Sequence, residues 1–561
     1  KYALCFLPLM FESHIVDILR KELKTDNIKL EVPPDPILGD FAFPCFSLAK
    51  AWKKDPKQIA SELAARIKPT TFISEIRSNG PYLNFFVNKA KFSENIISNV
   101  LKLKSKYGSS NLGKGQKVLI EHTSINPNAS PHVGRARNAI IGDSLVRIFK
   151  FQGYKVETHY FVNDVGKQVA MLVYAAKNRK PSFEGLLNLY VDVNKKVKED
   201  PSIEKEIFDL LYKLEKEDAK VKKRFKDIVD ISVKGQRKIF ADLGIKYDFF
   251  DYESKYLWDK STKDVLSNLE KFSECFVDAD GRKVLNQEEF KNEMKAPYLV
   301  LTRSDGTSLY ALRDLAYTIE KMRRSKNNII VLGEEQKLYF KQLCAALKLL
   351  GKPCPRVVHY SFVLLTDGTS MSTREGNVVL LTDFMKELIS KANKEVKSRT
   401  GKSSYKSAKI IGLGALKYSF LRVSNDKNVT FDWSSALSFE GDTGPYIQYA
   451  HARASSILRK AKFKPGKFNS SLLSKEQEFS LVKQIGSFPK VVSEAESALH
   501  PHLIANYLYN LAKLFSEFYH NCQCIGVDKE ISKARLALVF ACKQVLANGM
   551  GLLGIEAPDR M

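Results

Sequence analysis

Apolar residues in the middle of the chain form short runs that alternate with spaced stripes. The runs 118–120 and 329–332 are typical of buried strands. Residues 140–148 and 340–347 instead carry apolar side chains on one side of a helix. Strands that alternate with helices predict a parallel, doubly wound sheet of the Rossmann type.

The segments on either side of this region have other patterns. Residues 39–44 and 79–86 each begin with turn residues and continue as an aromatic, strand-like run. The segment around them mixes helix and strand signals. Between about 170 and 290 the chain is strongly charged with helical apolar stripes, which predicts a helical insertion in the sheet domain. Beyond about 435 the pattern is almost wholly helical. The predicted domains are 1–112 (α+β), 113–435 (α/β) and 436–561 (all-α).

Size and charge narrow the possible functions. A chain of 561 residues is too long for a single core. Lys and Arg number 89 against 63 Asp and Glu, which leaves a formal net charge of +26. Such a surplus attracts polyanions, most commonly nucleic acid. The alternative is a lysine-rich proteome, because much of the lysine falls on predicted helix surface.

Cysteine usage and hydropathy exclude two classes of protein. The eight cysteines are too few for a disulfide scaffold, and we interpret them as reduced thiols. Cys522 and Cys524 follow His520, but no second pair of ligands stands at metal-site spacing, so we predict no protein metal site. No apolar stretch is long enough to span a membrane. We therefore expect a cytoplasmic protein.

The loop after the first sheet strand has the composition of a phosphate site. Pro127 and Pro131 hold it extended, and a helix is predicted to begin at His132. Unpaired N–H groups at a helix start attract phosphate. His132 can donate to a phosphate oxygen, and Gly134 leaves room for a flat base. The alternative is an ordinary strand-to-helix turn with a surface histidine.

A second loop, at 367–377, is rich in hydroxyl groups and carries the cation Arg374. It lies between the apolar segments 362–365 and 378–381. Such a loop can close over a triphosphate and stabilise charge on the leaving pyrophosphate. The alternative is a hairpin tip with an Asp-Gly turn.

Together, the two loops resemble class I aminoacyl-tRNA synthetases. His132-Val133-Gly134-Arg135 is similar to the HIGH motif of that class, and residues 370–374 are similar to its KMSKS motif. Within the class the chain resembles the arginyl-tRNA synthetases over essentially its whole length. Further segments that carry the resemblance are Asn126-Pro127, Gly142-Asp143-Ser144, Val162-Asn163-Asp164, residues 441–453 and residues 556–561.

The resemblance implies a ligase that consumes ATP with Mg²⁺. The carboxylate of L-arginine attacks the α-phosphate of ATP, and the resulting arginyl-adenylate is transferred to the 3′ end of an arginine-accepting tRNA. We expect a monomer. Residues 1–112 would contact the outer corner of the tRNA, and 436–561 the anticodon. The catalytic residues implied are His132, Gly134, Arg135, Met371, Ser372, Thr373 and Arg374.

The resemblance also implies an arginine pocket. A guanidinium is always charged, so its pocket needs carboxylates or neutral acceptors. Tyr310 and Asp314 face the same way if their segment is helical. The alternatives are that Asp314 pairs with Arg313 and that Tyr310 fills the core. The implied residues are Glu121, Ser124, Asn126, Tyr310, Asp314 and Gln336, with Glu334 and Glu335 as neighbouring candidates for the last.

Two groups of residues are implied to contact tRNA. Tyr446 and Tyr449 would offer faces for unstacked bases, with Arg453 beside them. In the N-terminal domain the implied residues are Asn84, Phe85 and Phe86. The alternative for all these aromatic residues is core packing.

Three positions depart from the family pattern. Arg135 replaces the second His of HIGH, Ser370 replaces the first Lys of KMSKS, and Ser130 stands where many arginine enzymes without that Lys carry another. We hypothesise that Arg135 supplies part of the missing charge. The departures also raise two alternatives: a catalytically impaired tRNA-binding protein, and a class I enzyme for another amino acid.

Overall fold

The N-terminal part of the computed structural model is a small antiparallel sheet with helices packed against it. The model describes residues 7–177, 179–290, 297–365, 379–402 and 404–561. The first elements are α1 (Leu7–Leu23), β1 (Phe41–Pro44), α2 (Phe46–Trp52), α3 (Pro56–Arg66), β2 (Ile73–Asn79), β3 (Tyr82–Val87) and α4 (Lys89–Leu103). β3 lies between β1 and β2. Ile15, Leu63 and Phe85 share one buried core.

The central part of the chain contains most of the strands. Its elements are β4 (Lys117–Glu121), α5 (Val133–Phe151), β5 (Lys155–Val162), α6 (Lys167–Ala176), α7 (Gly185–Glu199), α8 (Ser202–Glu215), α9 (Ala219–Asp242), β6 (Phe249–Tyr252), α10 (Ser254–Trp258), α11 (Ser261–Leu269), β7 (Cys275–Val277), β8 (Lys283–Asn286), β9 (Tyr298–Val300), α12 (Tyr310–Arg324), β10 (Asn327–Gly333), α13 (Lys337–Leu349), β11 (Arg356–Tyr360), β12 (Val363–Leu365), α14 (Leu381–Thr400), α15 (Tyr405–Leu421), β13 (Val429–Phe431) and α16 (Trp433–Ala436).

Five of these strands form a parallel sheet in the order β11-β10-β4-β5-β6. The chain enters the sheet at β4, and the order extends from there in both directions. Glu121, at the end of β4, lies between Ile330 of β10 and His159 of β5. A reversal of strand order opens a crevice at the carboxyl ends of the strands, where ligands of such sheets bind. The predicted α/β class is confirmed.

Residues 170–290 contain strands as well as helices. Helices α6 to α9 come first, and β6 then returns to the main sheet as its edge strand. β7 and β8 form a separate antiparallel sheet with β9. The strand signal is weak in the sequence because all four residues of β6 are only partly buried or exposed.

The C-terminal part is a bundle of four long helices. They are α17 (Gly444–Lys460), α18 (Glu476–Ala498), α19 (His502–Asn521) and α20 (Lys529–Leu552). α4 packs against α18 and α20, and its Ile96 and Val100 belong to the main core. The chain after β3 therefore ties the N-terminal sheet to the C-terminal bundle.

Two further observations bear on the sequence analysis. Cys344 of α13 and Cys354, before β11, form a disulfide with a Cα–Cα distance of 5.4 Å. The interpretation of all cysteines as reduced thiols is therefore wrong for this pair. Within the described ranges, every helix is too short or too polar to cross a membrane.

Candidate active site

The start of α5 has the properties of an anion site. His132 is the N-cap residue, but its side chain makes no capping hydrogen bond. Its Nδ1 and the Oγ of Ser130 are buried without a hydrogen-bond partner. Burial, helped by the charge of Arg135, lowers the pKa of His132 to about 4, so the imidazole is neutral at neutral pH. A neutral ring can donate to a phosphate without repelling nearby cations.

The chain that follows the second loop lies beside this helix start. Val133 N donates to Val379 O at 3.1 Å, and Leu381 N donates to Pro131 O at 2.8 Å. His132 and Leu380 form an antiparallel bridge between these two bonds. The predicted catalytic residues Met371, Ser372, Thr373 and Arg374, and the departure at Ser370, lie outside the described residues.

Arg135 and Arg137 have different surroundings although both lie in the first turns of α5. Arg135 is half-exposed, and its Nη1 lies 3.7 Å from Glu335 Oε1, just beyond β10. Arg137 is fully buried. It donates to the carbonyl oxygens of Ser361 at 2.6 Å and Ser424 at 3.0 Å. Arg135 is therefore the one of the two that is available to a ligand.

The turn that leaves β4 has an unusual backbone. Thr123 and Ser124 have φ values of +72° and +42°, a region that L-residues seldom adopt. The Asn138 amide of α5 holds this turn: its Oδ1 accepts from Thr123 N at 2.5 Å, and its Nδ2 donates to Val331 O at 2.9 Å. Strain of this kind costs about 1–3 kcal/mol per residue and is found where a site must be shaped in advance.

Glycine at 142 allows α5 to approach the same turn. A Cβ at Gly142 would lie 2.1 Å from the Cγ of His122, far inside the closest contact that two carbon atoms make. His122 is fully buried beneath the turn, and burial lowers its pKa to about 3. Helix α5, which begins after His132, is thus packed directly on the end of β4 that carries Glu121.

The three predicted pocket residues on this turn have different environments. Glu121 is buried and forms an ion pair with the ammonium of Lys321. Ser124 Oγ donates to Glu121 Oε1 at 3.4 Å and accepts from Phe161 N at 3.0 Å. Asn126 is exposed, and its amide donates to Gln168 Oε1 at 3.0 Å.

Tyr310 and Asp314 lie on one face of α12, as the sequence predicts. The hydroxyl of Tyr339, on α13, donates to Asp314 Oδ2 at 2.9 Å, and its ring stacks on Tyr310 at 4.5 Å between centroids. Arg313 pairs instead with Glu253 at 2.6 Å, which excludes the alternative that it binds Asp314. Burial raises the pKa of Asp314 to about 6 against the opposing influence of Lys321.

Gln336 and its acidic neighbours form a turn between β10 and α13. Gln336 Oε1 accepts from Gly333 N at 3.2 Å. Glu334 accepts from Ser361 Oγ at 2.7 Å, and Glu335 faces Arg135. The contacts of Glu334 and Glu335 are thus with Ser361 and Arg135, and not with Asp314.

Sequence reasoning missed several residues of this region. Tyr339 follows Gln336 by three residues, and Lys321 follows Asp314 by seven, so helical spacing could have placed both. A lysine on an amphipathic helix is ordinarily exposed, however, and an aromatic residue ordinarily fills a core. Gln168 and Asn138 carry no sequence signal that separates them from other polar helix residues.

The predicted RNA-facing residues of α17 line a cavity of about 640 Å³. The guanidinium of Arg453 lies 4.6 Å from the ring centroids of both Tyr449 and Tyr519, and it donates to Tyr449 Oη at 2.7 Å. Tyr446 also lines the cavity, next to Tyr509. A cation between aromatic faces can bind both a base and its phosphate.

The N-terminal run on β3 is mostly internal. Phe85 is fully buried, Asn84 is 4% exposed, and Phe86 is only partly buried. The guanidinium of Arg77, on β2, lies 4.8 Å from the Phe86 ring centroid. Phe86 is thus the member of the run that reaches the surface, and contact of the run with RNA stays a prediction.

Comparison with known families covers nearly the whole chain. The catalytic domain model of class I (R) tRNA synthetases matches residues 96–433, the arginyl-tRNA synthetase N-terminal domain matches 10–87, and the DALR anticodon binding domain matches 447–561. The chain belongs to the arginyl-tRNA synthetase family. The resemblance inferred from the motifs is confirmed.

Individual relatives of this synthetase are similar over their full length. The arginine–tRNA ligase of Methanocaldococcus jannaschii is 39% identical, with 97% of this chain and 98% of that protein covered. The ligase of Halothermothrix orenii is 34% identical over 98% of this chain and 100% of its own length. The solved arginyl-tRNA synthetase of Thermus thermophilus superposes with a TM-score of 0.82 at 28% identity, covering 98% and 99% of the two chains.

Proposed function

We propose that this chain is an arginine–tRNA ligase that forms arginyl-adenylate from L-arginine and ATP and transfers the arginyl group to tRNA. The observation that carries the proposal is the Asp314 carboxylate, which accepts a hydrogen bond from Tyr339 and has no salt-bridge partner among the described residues. A partly buried carboxylate beside hydroxyl groups suits a guanidinium, which brings the missing positive charge.

In the proposed reaction the arginine carboxylate attacks the α-phosphate of ATP, and pyrophosphate leaves. Asp314, Tyr310 and Tyr339 would hold the side chain of the substrate arginine. His132 and Arg135 would contact the ATP phosphates at the start of α5. Such a reaction needs positioned donors and charge stabilisation and no protein nucleophile. Transfer to the 3′-terminal ribose of tRNA uses the same bound adenylate.

The proposal extends to the partners and setting of the enzyme. The described residues hold no group of three or more His, Cys, Asp or Glu side chains placed for a metal ion. We assign Mg²⁺ to the ATP phosphates, because Mg²⁺ commonly binds substrate phosphates with only one or two protein carboxylates. Tyr446, Tyr449 and Arg453 on α17 would bind the anticodon, and Phe86 would contact a loop of the tRNA. We propose a cytoplasmic monomer.

The test is charging of tRNA with arginine by the full chain. The matched control amino acid is citrulline, which has nearly the shape of arginine but a neutral side chain. We expect arginyl-tRNA to accumulate with release of AMP, and no citrullyl-tRNA. Binding of tRNA without release of AMP would indicate the impaired alternative. Release of AMP with a different amino acid would indicate an enzyme of other specificity.

A further inference from the structure

A buried lysine lies on the same face of α12 as the arginine pocket. Tyr310, Asp314, Tyr317 and Lys321 follow one another at helical spacing along this face. Lys321 is 2% exposed. Its ammonium forms an ion pair with Glu121 and lies 4.1 Å from the ring centroid of Tyr317. Lysine is almost never buried unless it is paired, so the pair is a built feature of the fold.

Among the described residues, the titratable groups that face Asp314 come from four elements. Glu121 approaches from β4, Glu253 from the turn before α10, Tyr339 from α13, and Tyr310 and Lys321 from α12 itself. Glu253 is neutralised by Arg313 at 2.6 Å. Glu121 is neutralised by Lys321. Of the described residues, the group formed by Asp314, these two acids and their two partners thus keeps one net negative charge, which matches the single charge of a guanidinium.

We propose that Lys321 is a positioning and specificity residue, which neutralises Glu121 so that the pocket presents Asp314 as its one uncompensated charge. Without Lys321, two carboxylates would face each other across the pocket. Like charges that share a buried site cannot both ionise easily, and one of them takes up a proton near neutral pH. A protonated Asp314 no longer attracts a guanidinium. The inference rests on the proposed arginine pocket.

The test is the pH profile of kcat/KM for arginine in tRNA charging, measured between about pH 5.5 and 9, because this profile reports groups of the free enzyme. For Lys321→Met we expect the acidic limb to move up by on the order of one pH unit, with a loss near neutral pH that shrinks as the pH rises. Lys321→Arg should keep the limb in place, because it keeps the charge.

Two variants at Glu121 complete the design. Lys321→Met combined with Glu121→Gln removes both charges of the pair, and the limb should return to its wild-type position even if activity stays low. Glu121→Gln alone leaves Lys321 uncompensated and should move the limb to lower pH, so the proposal is testable even if Lys321→Met does not fold.

The contrary results are distinct. A loss of activity in Lys321→Met that is equal at every pH would show a purely structural role, as would a double variant with the limb of the single one. Movement of the limb in the same direction in Glu121→Gln and Lys321→Met would also overturn the proposal. Failure of the wild-type chain to use arginine would instead overturn the proposed function.

Discussion

At the scale of single residues, charge and burial decide what the candidate site can bind. Asp314 carries a charge in surroundings that disfavour it, which raises its pKa from the ordinary 3.8 to about 6. Arg135, in contrast, is half-exposed and forms an ion pair with Glu335. We propose that the first residue attracts a cationic ligand at some cost to stability, and that the second contacts phosphate.

Asp314→Asn should affect activity and stability in opposite directions. Loss of the counter-charge should lower kcat/KM for arginine on the order of 10²–10³-fold, as expected when a desolvated ion pair is broken. The KM for tRNA should barely change. Steady-state charging kinetics with arginine and tRNA varied separately measure both constants. An unchanged arginine KM and kcat would place Asp314 outside the pocket.

The stability effect of the same variant depends on pH. The folded chain binds the Asp314 proton more tightly than the unfolded chain, so this contribution to stability is present below about pH 4 and is lost as the pH rises through about 6. Asparagine does not ionise and avoids the loss. We expect the free energy of unfolding near neutral pH to rise by about 1–3 kcal/mol in Asp314→Asn. Urea titration should show a smaller difference at lower pH.

Arg135→Ala tests whether this residue replaces charge that the family usually supplies elsewhere. We expect the rate of adenylate formation to fall on the order of 10²–10³-fold, as on loss of one charge-stabilising donor. Arg135→His should recover only part, since a neutral imidazole lacks the charge. Single-turnover release of pyrophosphate with saturating arginine, ATP and cognate tRNA measures this step. Glu335→Gln is the matched control, because it removes the partner and leaves the cation. Full activity in Arg135→Ala would show that the substitution is incidental.

At the scale of elements, α5 connects the parts of the site. It begins at the proposed phosphate site, holds the turn after β4 through Asn138, and holds the segments before β12 and β13 through Arg137. The segment before β12 continues toward the second loop. The position of α5 is thus coupled to the segments before β12 and β13 through buried hydrogen bonds.

Arg137→Met should destabilise the protein without removing a ligand group. The substitution leaves the carbonyl oxygens of Ser361 and Ser424 without their donor in a buried place. Each unsatisfied group costs about 1–3 kcal/mol, so we expect a loss of about 2–5 kcal/mol in the free energy of unfolding. Arg135→Met is the control. Arg135 lies two residues earlier in α5 but is half-exposed, so this variant should change the free energy of unfolding by less than about 0.5 kcal/mol. Equal urea midpoints for the two variants would contradict the assignment.

At the scale of the whole molecule, the C-terminal bundle is attached directly to α5. Ser144 Oγ donates to Leu552 O at 2.9 Å, and Arg147 reaches Gly551 O at 3.5 Å. Lys417 of α15 donates to Gly554 O beside them. Helix α5, which begins at the proposed phosphate site, therefore contacts the last turn of α20, in the domain proposed to bind the anticodon.

This connection supports a dependence of activation on tRNA. We predict that ATP–pyrophosphate exchange with arginine needs cognate tRNA, because binding on the bundle can then bias the position of α5. The measurement is exchange of labelled pyrophosphate into ATP with cognate tRNA, with non-cognate tRNA and with none. Exchange at an equal rate without any tRNA would refute the coupling.

The sequence by itself determined the class of fold and the family, because both depend on local residue patterns that can be recognised without the tertiary contacts. Apolar runs and stripes predicted the parallel sheet and the helical bundle, and motif order predicted the synthetase. It also placed Tyr310 and Asp314 on one face of a helix. Contacts between distant segments decided the rest. Only the tertiary structure paired Lys321 with Glu121, buried Arg137 and exposed Arg135, and returned β6 to the main sheet. Ionisation and burial depend on which distant groups surround a side chain, and the spacing of residues along the chain does not contain that information.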